Sequence, residues 1–552
     1  MTSVIDHARR LTLGALAVLA LSGAASAQVV ERPAGEPVAT EGGLVAGKTL
    51  ASDVRAYLGV PYAKPPVREL RWREPQPVAP WKGVYNADRK SPECIQVLRA
   101  HNLNHYFGEE ATSEDCLYLN IWTPPAAKAP AKAPVLVWIY GGGFTIGSAG
   151  MANYDGEAMA RKGVVFVNLN YRVGALGFLA HPELTAESPH HASGNYALLD
   201  QVAALKWIKA NIARFGGDPD NVTIMGQSAG AASVSYLQAS PLGKGLFQHV
   251  VAMSGSAVGS NRTSDLAAGE ATGLAYQKAL GAASLDAMRQ LPADRILSLQ
   301  ADCQLGCAGS IRVGPIVDGY FLPKSPREIF ADGTQNDVPI MVGFTHDESG
   351  GPLKAAKTVA AYEAATRDLY KDKADAFLKA YPVKSDDQIR AVGGDAARET
   401  AVEAAMRNWA LLQARTGKAP VYIYMFSRVH PYTPGVVFAD HDPKTVGAYH
   451  TADVPYWFQT QDSLNLFRQT RTWTAYDRTL SDRMSNAIIA FATSGDPSAA
   501  DLAWPKWAPK SEKLMEFGDS VRLLPMNSKR LDFAATLPQP APPAPVPGRP
   551  RD

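Results

Sequence analysis

The pentapeptide at residues 226–230 could supply a nucleophile for acyl transfer. It reads Gly-Gln-Ser-Ala-Gly, with an apolar run before it and a small-residue segment of helical character after it. A strand-to-helix turn of this G-x-S-x-G type projects its serine, and the glycines allow close backbone approach. Free N–H groups and the positive dipole end of the following helix would favour an oxyanion there. We therefore predict that Ser228 is a nucleophile.

A run of three glycines at 141–143, followed by Phe144, is a second candidate element. It comes directly after the apolar run Val-Leu-Val-Trp-Ile-Tyr at 135–140, so its N–H groups could converge at a strand end. We predict that the N–H groups of Gly142, Gly143 and Ala229 stabilise an oxyanion. The alternatives are a flexible loop or a phosphate-binding turn, although a G-x4-G-K-[ST] phosphate loop requires a lysine that is missing here.

A serine nucleophile needs a base, and the base needs an orienting acid. Hydrolases with this serine turn carry the three residues in the order Ser, Asp or Glu, His. The acid candidates Asp347 and Glu348 follow a strand-like run, whereas His249 lies inside one and is expected to be a core residue. Spacing does not choose among the other histidines downstream of the serine, which are His346, His430, His441 and His450.

The elements that must position these residues alternate along the chain. Helical patterns occur at 196–212 and 229–238, and short apolar runs that indicate strands occur at 135–140, 164–170, 222–225, 249–253, 339–344 and 421–426. Continuous apolar strands that alternate with helices predict an α/β fold with a central, mostly parallel sheet flanked by helices on both faces. Ligands bind at the carboxyl ends of such strands, where the serine and the glycines fall.

The composition is that of an ordinary globular protein. Of 552 residues, 46% are hydrophobic and 20% charged, which excludes a disordered, collagen-like or coiled-coil chain. Lys and Arg number 55 against 53 Asp and Glu, so no nucleic-acid partner is expected. We also expect no membrane span, no metal and no organic cofactor. We expect the protein to be a monomer.

Both ends of the chain are expected to lie outside the folded domain, which we place at 28–536. Residues 1–27 combine Arg9-Arg10, a short apolar run and Ala25-Ser26-Ala27, a pattern typical of a secretory signal peptide cleaved after Ala27. The alternative, an uncleaved anchor, would require a longer apolar run. The Pro-rich residues 537–552 predict a disordered tail.

Export predicts a secreted or periplasmic protein in an oxidising compartment, where cysteines pair. Three connectivities are open to the four cysteines, which are Cys94, Cys116, Cys303 and Cys307.

Five motifs in a fixed order carry a resemblance to a known family. They lie at 114–120, 141–144, 170–174, 194–201 and 226–230. Together they resemble the type B carboxylesterases, the cholinesterase-like branch of the α/β-hydrolase fold, over about residues 40–525. The resemblance implies hydrolysis of small carboxylic esters through an acyl-enzyme.

The resemblance also implies a role for particular residues. The family's acid falls on Glu348 rather than Asp347, and its histidine falls on His450, which makes a triad with Ser228 and leaves His441 as a loop residue. A disulfide between Cys94 and Cys116 is implied, and so are buried ion pairs, Arg71 with Glu114 and Arg172 with Asp200. The short segment between Cys303 and Cys307 departs from the family's usual second disulfide.

Substrate-pocket residues are proposed from the same comparison. Tyr106 stands about where cholinesterases carry a tryptophan, so choline-ester specificity is not expected. Gln227 replaces a glutamate found in many members, which makes the pocket less anionic. Phe144 and Trp457 complete the proposed pocket. Its aromatic residues, together with Phe107 and Phe458, favour a narrower esterase for aryl, aromatic-acid or polyester-like substrates, unless these rings are ordinary core. A non-catalytic binding protein of the same fold is the alternative of a different class, against which the complete triad argues.

Overall fold

The computed structural model describes residues 32–97, 111–259, 263–300 and 311–538. The predicted signal peptide, Tyr106, Phe107, Cys303, Cys307 and residues 539–552 lie outside these ranges. No helix within them is both long and apolar enough to cross a membrane.

The described strands are short at the start of the chain and longer in its middle. They are β1 Arg32–Pro33, β2 Val38–Ala39, β3 Leu44–Ala46, β4 Lys48–Thr49, β5 Arg55–Pro61, β6 Val84–Asn86, β7 Glu93–Cys94, β8 Thr112–Ser113, β9 Tyr118–Thr123, β10 Ala133–Ile139, β11 Val165–Leu169, β12 Gly217–Gln227, β13 His249–Met253, β14 Ser264–Asp265, β15 Ile316–Val317, β16 Ile340–Thr345, β17 Val421–Phe426, β18 Lys513–Phe517 and β19 Val521–Pro525.

The described helices mostly follow the strands in alternation. They are α1 Glu157–Ala160, α2 Gly174–Phe178, α3 Pro182–Glu187, α4 Tyr196–Asn211, α5 Ala229–Ala239, α6 Leu266–Leu280, α7 Leu285–Gln290, α8 Ala293–Leu297, α9 Pro326–Ala331, α10 Pro352–Ala355, α11 Val359–Tyr370, α12 Ala374–Ala380, α13 Ile389–Glu399, α14 Val402–Thr416, α15 Val454–Phe458, α16 Ala475–Ser494 and α17 Ser528–Ala534.

A twelve-stranded sheet forms the centre of the described fold, in the order β1-β4-β5-β9-β11-β10-β12-β13-β16-β17-β18-β19. The pairings from β11 to β18 are all parallel. Those outside them are antiparallel, so the sheet is mixed. The apolar runs predicted the parallel centre, because strands covered on both faces are apolar throughout. They did not predict the antiparallel edges.

Helices cover the parallel centre of the sheet. Helix α5 packs against β10, β12 and β13, and α14 against β16 and β17. Helix α16 packs against β10 and β12, and Phe458 of the neighbouring α15 packs edge-on against Trp138 of β10, with ring centroids 4.8 Å apart. The α/β-hydrolase architecture expected from the sequence is thus confirmed.

Register across the central strands brings their carboxyl ends together. Gly226 of β12 pairs with Ile139 of β10 on one side and with Ala252 of β13 on the other. Thr345 of β16 pairs with Phe426 of β17. The loops that follow these strands, which carry Ser228, Glu348 and His450, therefore leave one edge of the sheet.

Covalent and ionic cross-links expected from the resemblance are present. Cys94 and Cys116 form a disulfide. Arg172 and Asp200 are 2.7 Å apart with side chains only 4% and 0% exposed, and Arg71 contacts Glu114 at 2.5 Å.

The predicted end of the domain needs one correction. Leu537, placed at the start of the disordered tail, is buried in a hydrophobic cluster with Phe377 and Ala534. Its apolar side chain is covered there, so the fold extends at least to this residue.

Candidate active site

The predicted serine turn lies between β12 and α5. Ser228 has φ 58° and ψ −122°, a positive φ that residues with a Cβ rarely adopt. Its N–H donates to Met253 O at 2.8 Å, and its carbonyl accepts from Ala232 N at 2.9 Å. Strand β13 and helix α5 therefore both hold the turn. Such backbone strain costs about 1–3 kcal/mol and persists where the surroundings enforce it.

The two glycines of the pentapeptide are required by close packing. A Cβ at Gly226 would lie 2.8 Å from Ile139 O, and a Cβ at Gly230 would lie 2.8 Å from Tyr140 O. Real Cβ atoms essentially never approach backbone oxygens this closely. The first turn of α5 is therefore pressed against the end of β10.

The glycine run lies against the serine turn. A Cβ at Gly141 would stand 2.9 Å from Ser228 Cβ and 3.1 Å from Gln227 Oε1. Gly142 and Gly143 have φ of 118° and 62°, values that glycine adopts without strain. Gly141, directly before the predicted oxyanion glycines, thus lies against the predicted nucleophile, and Ala229 follows that nucleophile as the first residue of α5.

Glu348 and His450 are joined by a short hydrogen bond. Nδ1 of His450 lies 2.5 Å from Glu348 Oε2, although the residues are 102 positions apart. The other carboxylate oxygen of Glu348 accepts from Thr345 N at 3.1 Å. The glutamate side chain is 4% exposed and the histidine side chain 38%. A buried acid therefore orients an imidazole that remains accessible.

The opposite ring nitrogen of His450 faces the residue before the serine. Nε2 lies 3.0 Å from the amide Nε2 of Gln227. Because an amide nitrogen only donates, His450 Nε2 accepts here and Nδ1 carries the proton toward Glu348. This is the tautomer in which Nε2 can take a proton.

Burial and two neighbouring acids set the pKa of His450. Burial works to lower it, but the hydrogen bond and charge of Glu348, with the charge of Asp453, raise the pKa above its ordinary value. The neighbouring acids thus stabilise the imidazolium that forms when the base accepts a proton.

Asp453 is a site residue to which sequence reasoning gave no role. Its carboxyl group is 0% exposed, and Oδ2 accepts from the Tyr424 hydroxyl at 2.7 Å and from Trp457 Nε1 at 3.3 Å. Burial, aided by the charge of Glu348, raises the pKa of Asp453 to about 6. The available signal was the spacing of this acid, three residues after the predicted base His450.

The predicted pocket residues have different surroundings. Phe144 is half-buried and packs edge-on against Phe178, with ring centroids 5.1 Å apart. Trp457 has no exposed surface, so it contributes through its contact with Asp453 and not as the wall of a pocket. Tyr106 lies outside the described residues.

The other downstream histidines have partners elsewhere. His249 is buried beside Thr223, His346 is 3.2 Å from Asp347, and the ring of His441 stacks on Phe438. His430 Nε2 lies 2.8 Å from Ala452 O. All five histidines are within the described residues, and His450 is the one that contacts both Glu348 and residue 227.

Among the residues described, no three His, Cys, Asp or Glu side chains are grouped as a metal site would require.

Comparison with known proteins agrees with this fold. The model of the carboxylesterase family matches residues 34–534. The chain belongs to that family, and it is a carboxylic-ester hydrolase, an enzyme of small-molecule esters.

Two curated relatives and one solved structure indicate how far the likeness extends. The fumonisin B1 esterase of Sphingopyxis macrogoltabida is 37% identical over 499 residues, which are 87% of this chain and 86% of that protein. The para-nitrobenzyl esterase of Bacillus subtilis (strain 168) is 32% identical over 505 residues, 88% and 95% of the two chains. A PNB esterase structure aligns with a TM-score of 0.75 and 29% identity, covering 91% of this chain and 100% of that one.

Proposed function

We propose that this esterase works by two-step acyl transfer, with Ser228 as nucleophile, His450 as base and Glu348 as the orienting acid. The observation that carries the proposal is the 2.5 Å contact between His450 Nδ1 and the buried Glu348 carboxylate. It lies beside a serine held at positive φ at the start of a helix. An accessible imidazole with an acid behind it is the arrangement that nucleophilic catalysis needs.

In the first step, His450 Nε2 takes the proton of Ser228 Oγ while the oxygen attacks the ester carbonyl. The negative charge passes to the carbonyl oxygen, where the N–H groups of Gly142, Gly143 and Ala229 stabilise it. His450 returns the proton to the alcohol oxygen as that bond breaks, which leaves an acyl ester on Ser228.

In the second step, His450 takes a proton from water, whose oxygen attacks the acyl carbonyl. Collapse of the second tetrahedral intermediate returns the proton to Ser228 Oγ and releases the carboxylic acid. Glu348 keeps Nδ1 protonated throughout and stabilises the imidazolium formed in both steps.

The test compares the native enzyme with Ser228→Ala, and with Ser511→Ala, a change of an exposed serine before β18. Hydrolysis of short-chain nitrophenyl esters and labelling by a fluorophosphonate are followed on the same samples. Ser228→Ala is expected to lose labelling and at least about 10⁴-fold in kcat, while Ser511→Ala keeps both. A folded native protein that neither labels nor hydrolyses would contradict the proposal and favour a binding role.

A narrower specificity for aromatic esters is the second candidate. It is favoured by the half-buried ring of Phe144, which packs on Phe178 and Tyr236 close to the glycine run. A panel of alkyl, para-nitrobenzyl and aryl esters, with fumonisin B1, compares kcat/KM for the native enzyme and Phe144→Ala. A selective loss on the aromatic members supports the narrower class, and an equal loss on all esters contradicts it.

We also propose export with cleavage after Ala27, which the disulfide between Cys94 and Cys116 supports because such bonds persist in oxidising compartments. The mass of the protein recovered outside the cytoplasm tests this, and a mass that includes residues 1–27 would contradict it.

A further inference from the structure

Asp347 joins the loop of the candidate acid to the loop of the candidate base. Its N–H donates to Ala448 O at 3.0 Å, and the N–H of Ala448 donates back to Asp347 Oδ2 at 2.9 Å. Asp347 directly precedes Glu348, and Ala448 lies two residues before His450. Two reciprocal hydrogen bonds thus connect the loops next to the residues that must meet.

The base loop is shaped to receive this carboxylate. Gly447 has φ 69°, and a Cβ there would lie 2.8 Å from Asp347 Cβ and closer still to the carboxylate. Glycine at 447 therefore satisfies both a backbone conformation and a close approach.

Lys354 holds the acid loop from its other side. Its ammonium donates to Asp347 O at 2.8 Å and to Ser349 O at 3.5 Å, the two carbonyls on either side of Glu348. It also lies 3.9 Å from Asp347 Oδ1, with its side chain 20% exposed. The loop segment that carries Glu348 is thus fixed through its backbone on both sides.

The charged groups that face Asp347 keep it ionised. Burial works to raise its pKa, but His346, the Ala448 N–H and Lys354 together lower the pKa below its ordinary value. His346 Nδ1 lies 3.2 Å from Oδ1, which leaves Oδ2 to Ala448. The carboxylate is therefore a permanent acceptor and not a second catalytic acid.

We propose that Asp347 and Lys354 are positioning residues that hold Glu348 and His450 in hydrogen-bonding register, an inference that rests on the triad of the proposed function. A 2.5 Å contact between two loops tolerates little displacement, and a misplacement of about 1 Å can cost about 100-fold in rate. The reciprocal bonds at Ala448 and the clamp by Lys354 supply the rigidity that a catalytic pair requires.

The variants are Asp347→Ala, Asp347→Asn and Lys354→Met, with Asp442→Ala as the matched control. Asp442 lies in the same base loop, but its carboxylate bonds only locally, to Lys444 N at 2.9 Å. Asp347→Ala is expected to lower kcat about 10- to 100-fold with KM almost unchanged. Asp347→Asn is expected to keep most of kcat, because its amide oxygen can accept from the Ala448 N–H. The kcat of Lys354→Met is expected to lie between those of Asp347→Ala and Asp347→Asn, and Asp442→Ala should match the native enzyme.

Two further readouts separate positioning from general destabilisation. Glu348 and Asp453 are the acids that raise the pKa of His450, so losing the Glu348 contact moves the acid limb of kcat/KM to lower pH in Asp347→Ala and Lys354→Met. The far-downfield proton resonance of His450 Nδ1–H reports the hydrogen bond itself, and it is expected to disappear in Asp347→Ala and remain in Asp347→Asn.

The outcomes are distinct for the two proposals. A native enzyme that shows the resonance but neither hydrolyses esters nor labels contradicts the proposed function. In that case the resonance in the variants still tests the positioning role of Asp347 and Lys354. The positioning role of Asp347 and Lys354 is overturned if the native enzyme is active and its Asp347→Ala and Lys354→Met variants keep kcat, the acid limb of kcat/KM and the His450 resonance. Equal losses in Asp347→Asn and Asp347→Ala overturn it too. If Asp347→Ala fails to fold, Lys354→Met and Asp347→Asn decide.

Discussion

The amide nitrogen of Gln227 lies 3.0 Å from Nε2 of His450, on the side of the imidazole opposite Glu348. The ring is thus held from both nitrogens, by a carboxylate that accepts and by a neutral amide that donates. Because the amide carries no charge, it orients the base without favouring the imidazolium. A carboxylate at 227 would accept a hydrogen bond from protonated Nε2 instead.

The pH dependence of activity follows from this arrangement. His450 acts as a base only when neutral, and its pKa lies above the ordinary value of 6.5, so we expect the acid limb of kcat/KM above pH 6.5. Gln227→Glu places a second negative charge at Nε2 and moves that limb to still higher pH, by about one unit or more. The measurement is a kcat/KM profile with nitrophenyl esters, and Gln290→Glu on the exposed face of α7 is the control. A limb that stays in place would contradict the assignment of His450.

Asp453 gives a prediction for stability. Its folded-state pKa of about 6 lies above the ordinary 3.8, so the folded state binds the proton more tightly than the unfolded state. Stability from this group is complete below about pH 4 and decreases as pH rises to about 6. Asp453→Asn is therefore expected to raise the free energy of unfolding by roughly 1–3 kcal/mol at pH 8 and to change it little at pH 4.

Urea unfolding of native protein and Asp453→Asn at the two pH values measures this difference. The amide oxygen of asparagine can still accept from the Tyr424 hydroxyl, so packing is kept. Equal effects at both pH values would indicate that the buried carboxyl group does not titrate in this range.

The buried ion pair of Arg172 and Asp200 predicts a large loss of stability when one partner is removed. Arg172 is 4% exposed and its Nε and Nη2 both donate to Asp200. Asp200→Asn leaves a buried cation without its counter-charge, which is expected to cost roughly 3–5 kcal/mol in urea unfolding. Asp53→Asn, in an exposed pair with Arg32, is the control and should change little. Similar small changes in both variants would show that the arginine is solvated.

The disulfide predicts a redox dependence of stability. Cys94 and Cys116 are 22 residues apart, and a loop of this length is stabilised by roughly 3 kcal/mol when closed. Cys94→Ala with Cys116→Ala should lower the free energy of unfolding by about that amount, as should reductant on the native protein. Reductant added to the double variant then reports separately on Cys303 and Cys307. If reductant leaves the stability of the native protein unchanged, a stabilising disulfide between Cys94 and Cys116 is contradicted. If it leaves the stability of the double variant unchanged, a stabilising disulfide between Cys303 and Cys307 is contradicted.

Local pattern located the strands that position the site, but it did not give all of their bounds. The predicted runs 249–253 and 421–426 coincide with β13 and β17, since strands covered on both faces are apolar from end to end. The run at 222–225 proved too short, because β12 begins at Gly217. Its first residues, Gly-Asp-Pro-Asp, carry no apolar signal, and a register shift against β10 brings Gly217 opposite Ala133.

The site itself needed more than pattern. Ser228 was found from local sequence because the strained turn has strict steric requirements at Gly226 and Gly230. Spacing could not pair Glu348 with His450, since 102 residues separate them and the choice among histidines came from family resemblance. The roles of Asp453, Asp347 and Lys354 depend on contacts between loops, which leave no periodicity to read.

The conformation of Ser228 has a consequence for engineering heat resistance into this enzyme. At φ 58° and ψ −122°, glycine is free of the strain that serine bears, so a screen that selects melting temperature alone rewards replacement of the nucleophile. The most heat-resistant sequence for this backbone and the most active one therefore differ at position 228. Selection for durability has to be coupled to turnover from its first round.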